Sequence, residues 1–220
     1  MRKRKTPQKT YRGTSLTCQR SRLLDLVDKK TLIKLLNAFS HATGLRANIV
    51  DGEGKSIFGM ADAQKNCRFC QLIWQLQHGV ERCQAAYARA GEEAAKYGEP
   101  YIFRCPAGLI EWAAPIIIEN EHLGSIICGQ VLMWEPEDFF WVELQAMNKC
   151  LDVDMKTLME AAQELEIVSG KKVQAAAELL YVTANYIMQA GWENLCHRKE
   201  IARQQAMLAD EISARKDLEA

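Results

Sequence analysis

The sequence predicts an α+β domain with a five-stranded antiparallel sheet, flanking helices and a long C-terminal helix. The patterns follow the order helix, two strands, helices and three strands, which is typical of an antiparallel sheet covered on one face by helices. Two connections, at residues 51–54 and 119–121, have the length of hairpin turns, and turns this short cannot join parallel strands. A final helical pattern runs from residue 171 to 220 without a proline.

The distribution of charge divides the chain. Residues 1–22 carry eight Lys or Arg and no acid, which leaves 20 basic against 28 acidic side chains in the remainder. Residues 1–25 are therefore predicted to be a basic disordered arm, residues 26–168 a folded domain and residues 169–220 a long helix. The acidic balance of the folded part argues against direct nucleic-acid binding.

The chain has no apolar run long enough to span a membrane and no apolar stretch after its basic start. We therefore expect no membrane span and no secretory signal. Eight cysteines in a chain without an export signal indicate a reducing, cytoplasmic compartment. There, clustered cysteines are more often metal ligands or redox groups than structural disulfides.

The first helix and the first hairpin are predicted from local patterns. Apolar residues recur at helical spacing between residues 31 and 43, and Gly44 is a natural stop. Residues 47–50 and 55–58 read as the two strands of a hairpin, joined by the turn sequence DGEG.

The remaining elements follow in order. A helical pattern covers residues 71–97, where His78 and Gly79 are a possible break. Three strands are predicted at residues 101–105, 109–118 and 122–133, and two short helices at residues 137–150 and 155–165.

The last helix has two halves of different character. The first carries Val173, Leu180 and Ile187 in heptads and can pack on a core or a partner. The second places Ile201 and Leu208 among many charges and is too polar to be buried inside a monomer. It predicts a parallel homodimer through residues 171–220, the alternative being a solvated, fraying end.

Four cysteines have the spacing C-x2-C-x12-C-x21-C, and their residues are Cys67, Cys70, Cys83 and Cys105. Two sulfurs on one tight turn can face a single ion, so the four predict a zinc site, with His78 as a substitute ligand. A [4Fe–4S] cluster is an alternative on the same thiolates. A thiol–disulfide switch and simple burial of the four side chains are further alternatives.

A ligand pocket is predicted between the sheet and its covering helices. Alternation along the strand at 109–118 places Glu111 and Ala113 on one face and Trp112 on the other. We expect Trp112 to form a wall, Glu111 and Gln130 to bind ligand hydroxyls, and Arg104 to meet an anionic group. Two more distant candidates are Met60 and Trp134.

An enzyme is not expected. The sequence contains no P-loop, no G-x-G-x-x-G and no G-x-S-x-G motif. No histidine shares a motif with a cysteine, so no thiol has a base that the sequence alone can assign.

The central part of the chain resembles the PocR sensory domain. The resemblance rests on CQLI at 70–73, ERC at 81–83, GEPYIFRCPAGLIEWAAPIII at 98–118 and HLGSIICGQVL at 122–132, and it extends over residues 32–165. It implies a PAS-like fold and a bacterial regulator that senses a small molecule in the cytosol. The regulator after which the family is named responds to a small diol, but the resemblance does not carry the ligand over.

The resemblance also implies an output. Family members place this domain ahead of a helix-turn-helix module or a histidine kinase of a two-component system. Neither follows residues 171–220 here, so we expect the output in a separate or missing module. The function expected is therefore ligand sensing relayed through the C-terminal helix. The alternative is a metal or redox sensor whose input is the cysteine cluster itself.

Overall fold

The computed structural model describes residues 23–58, 65–151 and 153–219. Besides a short helical turn at residues 23–26, the helices are α1 (Lys29–Thr43), α2 (Arg68–Trp74), α3 (Gln77–Tyr97), α4 (Asp138–Leu151), α5 (Met155–Gln163) and α6 (Gly170–Glu219). The strands are β1 (Arg46–Val50), β2 (Tyr101–Arg104), β3 (Ile110–Ile118) and β4 (Glu121–Val131). The α+β class and the long C-terminal helix are confirmed.

The sheet is antiparallel and its strands lie in the order β1-β4-β3-β2. The hairpin of β3 and β4 forms its centre, and Glu119 and Asn120 turn it with positive φ values of 51° and 62°. That left-handed backbone suits a two-residue hairpin turn.

The prediction of five strands was wrong within the described residues, where the sheet has four. Residues 55–58 return beside β1, but they pair through one bridge, Val50 with Ser56, and two backbone bonds, from Ile57 N to Ile49 O and from Asp51 N to Lys55 O. The Asp51 carboxylate accepts the backbone N–H groups of Glu53 and Lys55 at 2.9 and 3.0 Å. These local bonds shape a compact turn, and the returning segment does not continue as a ladder.

The expectation of helices on one face was also wrong, because both faces of the sheet are covered. On one face, Ala113 and Ile127 pack against α2, α3, α4 and α5. On the other, Trp112 and Ile116 pack against α1 and α6. We call these the cysteine face and the tryptophan face. Strands buried on both sides read as continuous apolar runs, as IEWAAPIII does.

Helix α1 ends at the predicted stop, Gly44, but begins at Lys29, two residues before the predicted pattern. The Asp28 side chain caps it by accepting Thr31 N–H at 2.9 Å. Gly44, with φ of 76°, ends it and donates its N–H to Ser40 O.

The helical pattern at 71–97 is divided, but at Gln75 and Leu76 and not at His78-Gly79. Gly79 lies inside the first turn of α3. A Cβ there would come within 2.2 Å of the Ile73 carbonyl oxygen. This glycine therefore serves the close contact between α2 and α3 and does not break the helix.

Helix α6 has 50 residues and is therefore about 75 Å long. Its first part packs on the tryptophan face through Val173, Leu180 and Met188. Asn185 fixes it to β3 by donating to Pro115 O at 2.9 Å and accepting from Ile117 N at 3.4 Å. Farther along, Ile201 is exposed.

No helix in the described ranges combines the length and the apolar character needed to cross a membrane.

Candidate functional site

The four cysteines of the predicted cluster meet on the cysteine face. Cys67 caps the start of α2, Cys70 lies in its first turn, Cys83 lies on α3, and Cys105 follows β2. Cys70, Cys83 and Cys105 are buried in one apolar cluster, with Cys67 at its edge. Loop, helices and strand thus bring the four residues to one face of the sheet, whereas their meeting at one ion stays a prediction.

Glu111 is a buried acid at the start of β3, only 2% exposed. Its Oε1 accepts a hydrogen bond from the Tyr87 hydroxyl at 3.3 Å, whereas its Oε2 has no partner. Burial raises the pKa of Glu111 to about 8, although Arg46 and the bond from Tyr87 act in the opposite direction. The carboxyl is therefore held largely neutral near pH 7, and its proton is available to a hydrogen-bond acceptor.

The thiols around this acid differ in their acidity. The hydrogen bond from Cys70 lowers the pKa of Cys67 to about 7, and the nearby Arg46 acts in the same direction. The pKa of Cys70 is raised well above its ordinary value, first because it donates that bond and then because it is buried. Burial raises the pKa of Cys83 to about 11 and also raises the pKa of Cys105 well above its ordinary value.

Within the described residues, no three His, Cys, Asp or Glu side chains are placed to hold a metal ion. Four thiols are a suitable donor set for zinc or for an iron–sulfur cluster, but this arrangement does not bring three of them to one ligation point. Zinc and [4Fe–4S] therefore stay predictions.

Gln130 joins the sheet to the start of α2. It is the extra residue of a β-bulge, since Glu111 pairs with Gly129 and Ile110 with Val131. Its φ of 66° is rare for a residue with a side chain. The bulge directs the amide to Cys67, whose N–H it accepts at 3.0 Å, and to Asn66, to which it donates at 3.0 Å. Bulges often re-aim a side chain beside a functional site.

Gly129 allows the tight backbone at this bulge. A Cβ on it would lie 2.6 Å from Ile110 O and 2.7 Å from the Glu111 Cα. Its φ is 134°, a conformation that residues with side chains rarely adopt. The position of Glu111 therefore depends on a glycine in the neighbouring strand.

Trp112 does not share a space with Glu111. Its side chain is fully buried on the tryptophan face, among the residues that α1 and α6 cover. Side chains of β3 alternate between the two faces of the sheet as the sequence predicts. Glu111 and Trp112 therefore cannot line the same ligand pocket. Glu111 pairs with Gly129, the neighbour of Gln130 in β4, whereas Trp112 lies on the tryptophan face.

Arg104 and Trp134 line a separate cavity, which does not include Glu111. Arg104 pairs with Glu143 at 2.5 Å and lies over the Phe139 ring at 5.5 Å. Together with Trp134, which is 57% exposed, it lines a cavity of about 150 Å³. Neither residue contacts Glu111 through a described hydrogen bond or ion pair. Met60 lies outside the described residues.

A cleft of about 510 Å³ opens beside Cys67. Its lining includes Cys67 and Gln130 together with Arg46 and Lys65. The Cys67 thiol also raises the pKa of Glu111, which indicates that the two groups are neighbours.

The sequence did not single out Tyr87 and Arg46. Tyr87 belongs to the apolar side of α3, where its hydroxyl had no visible purpose. Arg46 starts β1, far along the chain from the cysteines. A buried acid such as Glu111 requires a hydrogen-bond donor and a positive charge nearby. That requirement is the one feature of the sequence that could have indicated Tyr87 or Arg46.

The chain belongs to the PocR sensory-domain family. The family model, described as "Sensory domain found in PocR", matches residues 25–192. The chain is also 32% identical, over 154 residues and 70% of its length, to Regulatory protein PocR of Salmonella typhimurium (strain LT2). It spans about half the length of that relative, 49%. No solved structure matches it.

Proposed function

We propose that this sensory domain binds a small neutral molecule with hydroxyl groups, such as a diol, between the cysteine face of the sheet and helices α2 and α3. The observation that carries the proposal is the unpartnered Oε2 of Glu111. A buried polar atom without a partner costs about 1–3 kcal/mol, and a ligand hydroxyl would remove that penalty.

The electrostatics of the site support a neutral ligand. The raised pKa of Glu111 reflects surroundings that disfavour negative charge. The Cys70 thiol is likewise held neutral by the bond that it donates to Cys67 and by burial, and the Cys105 thiol is held neutral by burial and by the nearby Glu111. An anionic ligand would meet the same penalty, whereas a hydroxyl group can both accept from a neutral carboxyl and donate to it.

The route of the signal follows β3. Glu111 lies at one end of this strand, and Asn185 of α6 bonds to the strand at Pro115 and Ile117. A ligand that shifts the start of β3 would therefore act on α6 through a packed strand. We propose that α6 carries the change to an output module, a kinase or a DNA-binding domain.

The second part of α6 supports a homodimer through residues 171–220. Ile201, Leu208 and Ile212 are 54%, 57% and 48% exposed on an otherwise charged helix. A helix of this composition is marginal alone in water and is stabilised by a second helix. Light scattering of the chain, compared with a chain ending at residue 195, tests this: only the longer chain should give the mass of a dimer.

Calorimetric titration tests the ligand site. Propane-1,2-diol, ethylene glycol and glycerol are compared with propan-1-ol, which has one hydroxyl. We expect at least one diol or triol to bind, and Glu111→Leu to weaken it by about tenfold or more, because one buried hydrogen-bond partner is lost. Trp112→Phe is the matched control, because Trp112 lies on the opposite face, and it should leave the affinity unchanged. Equal binding by wild type and Glu111→Leu would contradict the proposal.

A further inference from the structure

We infer that Cys67 and Cys70 form a dithiol exchange site, at which a small disulfide compound bearing carboxylates reacts from the cleft beside Cys67. The inference goes beyond ligand sensing and does not depend on it. It starts from the one motif, C-x2-C, to which the proposed function gives no role.

The geometry of the pair carries the inference. Cys67 caps α2 with extended backbone (φ −60°, ψ 158°), and Cys70 lies in the first turn, three residues later. Residues at this spacing share one side of a helix. The two residues thus occupy the N-cap position and the third position of one helix, where side chains lie close enough to interact.

The two thiols differ in access. Cys67 is partly exposed and lines the cleft of about 510 Å³, whereas Cys70 is 5% exposed. An incoming compound therefore meets Cys67 first, and Cys70 stands behind it as the resolving thiol.

The charges of the cleft select the class of compound. Arg46 and Lys65 line it on the side of Cys67, and the Arg46 Nε donates to Lys65 O at 3.1 Å, which holds the two together. Glu164 and Glu166 also line the cleft, but they are paired with Arg68 and Lys172, respectively. Carboxylates of a disulfide compound would be attracted to the side of the cleft where the reactive sulfur lies.

The chemistry balances without another reactant. The Cys67 thiolate attacks one sulfur of the compound, forms a mixed disulfide and releases the other half as a thiolate. Cys70 then attacks the Cys67 sulfur, its proton passes to the departing thiolate, and the second half leaves as a thiol. The pair is oxidised by two electrons to one disulfide, and the compound is reduced to two thiols.

The other described cysteines do not offer this arrangement. Cys83 and Cys105 are buried, and Cys128 lies on the tryptophan face. Cys196 is exposed on α6 but has no second cysteine nearby among the described side chains. The reaction is therefore expected at one pair only.

The test uses the full chain with Cys18, Cys150 and Cys196 replaced by Ser. Reduced protein is incubated with oxidised glutathione, quenched with acid, digested and mapped by mass spectrometry. We expect a Cys67–Cys70 disulfide, with the remaining cysteines still thiols. Cys70→Ser should stop at glutathione attached to Cys67, Cys67→Ser should not react, and the control Cys128→Ser should react as the parent does.

The rates of disulfide exchange and of alkylation test which class of compound reacts. They are measured on proteins that keep both Cys67 and Cys70, so they do not depend on how the cysteine variants fold. At low salt, Lys65→Gln should slow the reaction with oxidised glutathione about threefold or more and leave the reaction with uncharged hydroxyethyl disulfide unchanged. At pH 7, Cys67 should be alkylated about tenfold faster or more than Cys70, Cys83 or Cys105.

Three results would overturn the inference. The first is that no Cys67–Cys70 disulfide forms at any ratio of oxidised to reduced glutathione. The second is that disulfides form equally with Cys83 or Cys105. The third is that the purified protein contains one equivalent of zinc or iron, which must be removed before the thiols react.

Discussion

Replacing Glu111 with Gln should remove a penalty that grows with pH. The folded pKa of this carboxyl is about 8 and its ordinary value is 4.5. Between these values the folded state binds the proton more tightly than the unfolded chain does. Stability is therefore greatest below pH 4.5 and falls as the pH rises toward 8.

The magnitude follows from the two pKa values. One pKa unit corresponds to about 1.4 kcal/mol, so a shift of this size costs about 5 kcal/mol when fully expressed. Between pH 5 and pH 8 the part that develops is about 3.5 kcal/mol. Gln keeps the shape of the side chain but cannot ionise, so the variant lacks this loss.

The assay is urea unfolding of ligand-free wild type and Glu111→Gln at pH 5, 6, 7 and 8. The free energy of unfolding of the wild type should fall relative to the variant by about 3 to 4 kcal/mol over this range. Glu111→Leu is the control, because it also lacks the ionisable group and should follow Gln. If the difference between wild type and Gln stays constant within about 1 kcal/mol, the raised pKa of Glu111 is refuted.

Three further predictions concern the same face and its link to α6. At pH 7, Glu111→Leu should have a free energy of unfolding about 1–3 kcal/mol higher than that of wild type, because apolar atoms replace an unpartnered buried oxygen. A lower urea midpoint for the variant would contradict this. Gly129→Ala should lose about 2 kcal/mol or more in the same assay, because its Cβ would collide with Ile110 O; unchanged stability would be the opposing result. Asn185→Ala should leave ligand affinity unchanged but speed hydrogen exchange in α6, because the bonds to β3 are lost; equal exchange would exclude Asn185 as the link.

Much of the fold could be predicted from local patterns. The helix from Asp28 to Gly44 has a capping side chain and a glycine stop, and both signals act within one turn. The alternation in β3 placed Glu111 and Trp112 on opposite faces because successive side chains in a strand always point apart. The two residues were nevertheless expected to serve one pocket.

What could not be predicted depends on distant partners. Gly79 resembles a helix breaker in sequence, but its role is set by the Ile73 carbonyl that approaches it. The segment 55–58 has the composition of a strand, and the bonds from Asp51 decide otherwise.

The site was predicted in part for the same reason. The four cysteines lie on one face of the sheet, whereas the single ion that their spacing predicted stays a prediction. The orphan oxygen of Glu111 and its bond from Tyr87 arise from the packing of α3 on β3. No local sequence pattern predicts the contact between Tyr87 and Glu111. Glu111 could therefore be predicted as one candidate residue but not as the centre of the site.

Infrared difference spectroscopy of Glu111 tests the central claim most directly, because it observes the carboxyl that the ligand is proposed to contact. At pH 6 wild type should show the C=O band of a neutral buried carboxyl, absent from Glu111→Gln. Addition of the binding diol should shift this band to lower frequency as the ligand forms hydrogen bonds. A ligand that binds the wild type and leaves the band unchanged would contradict the account.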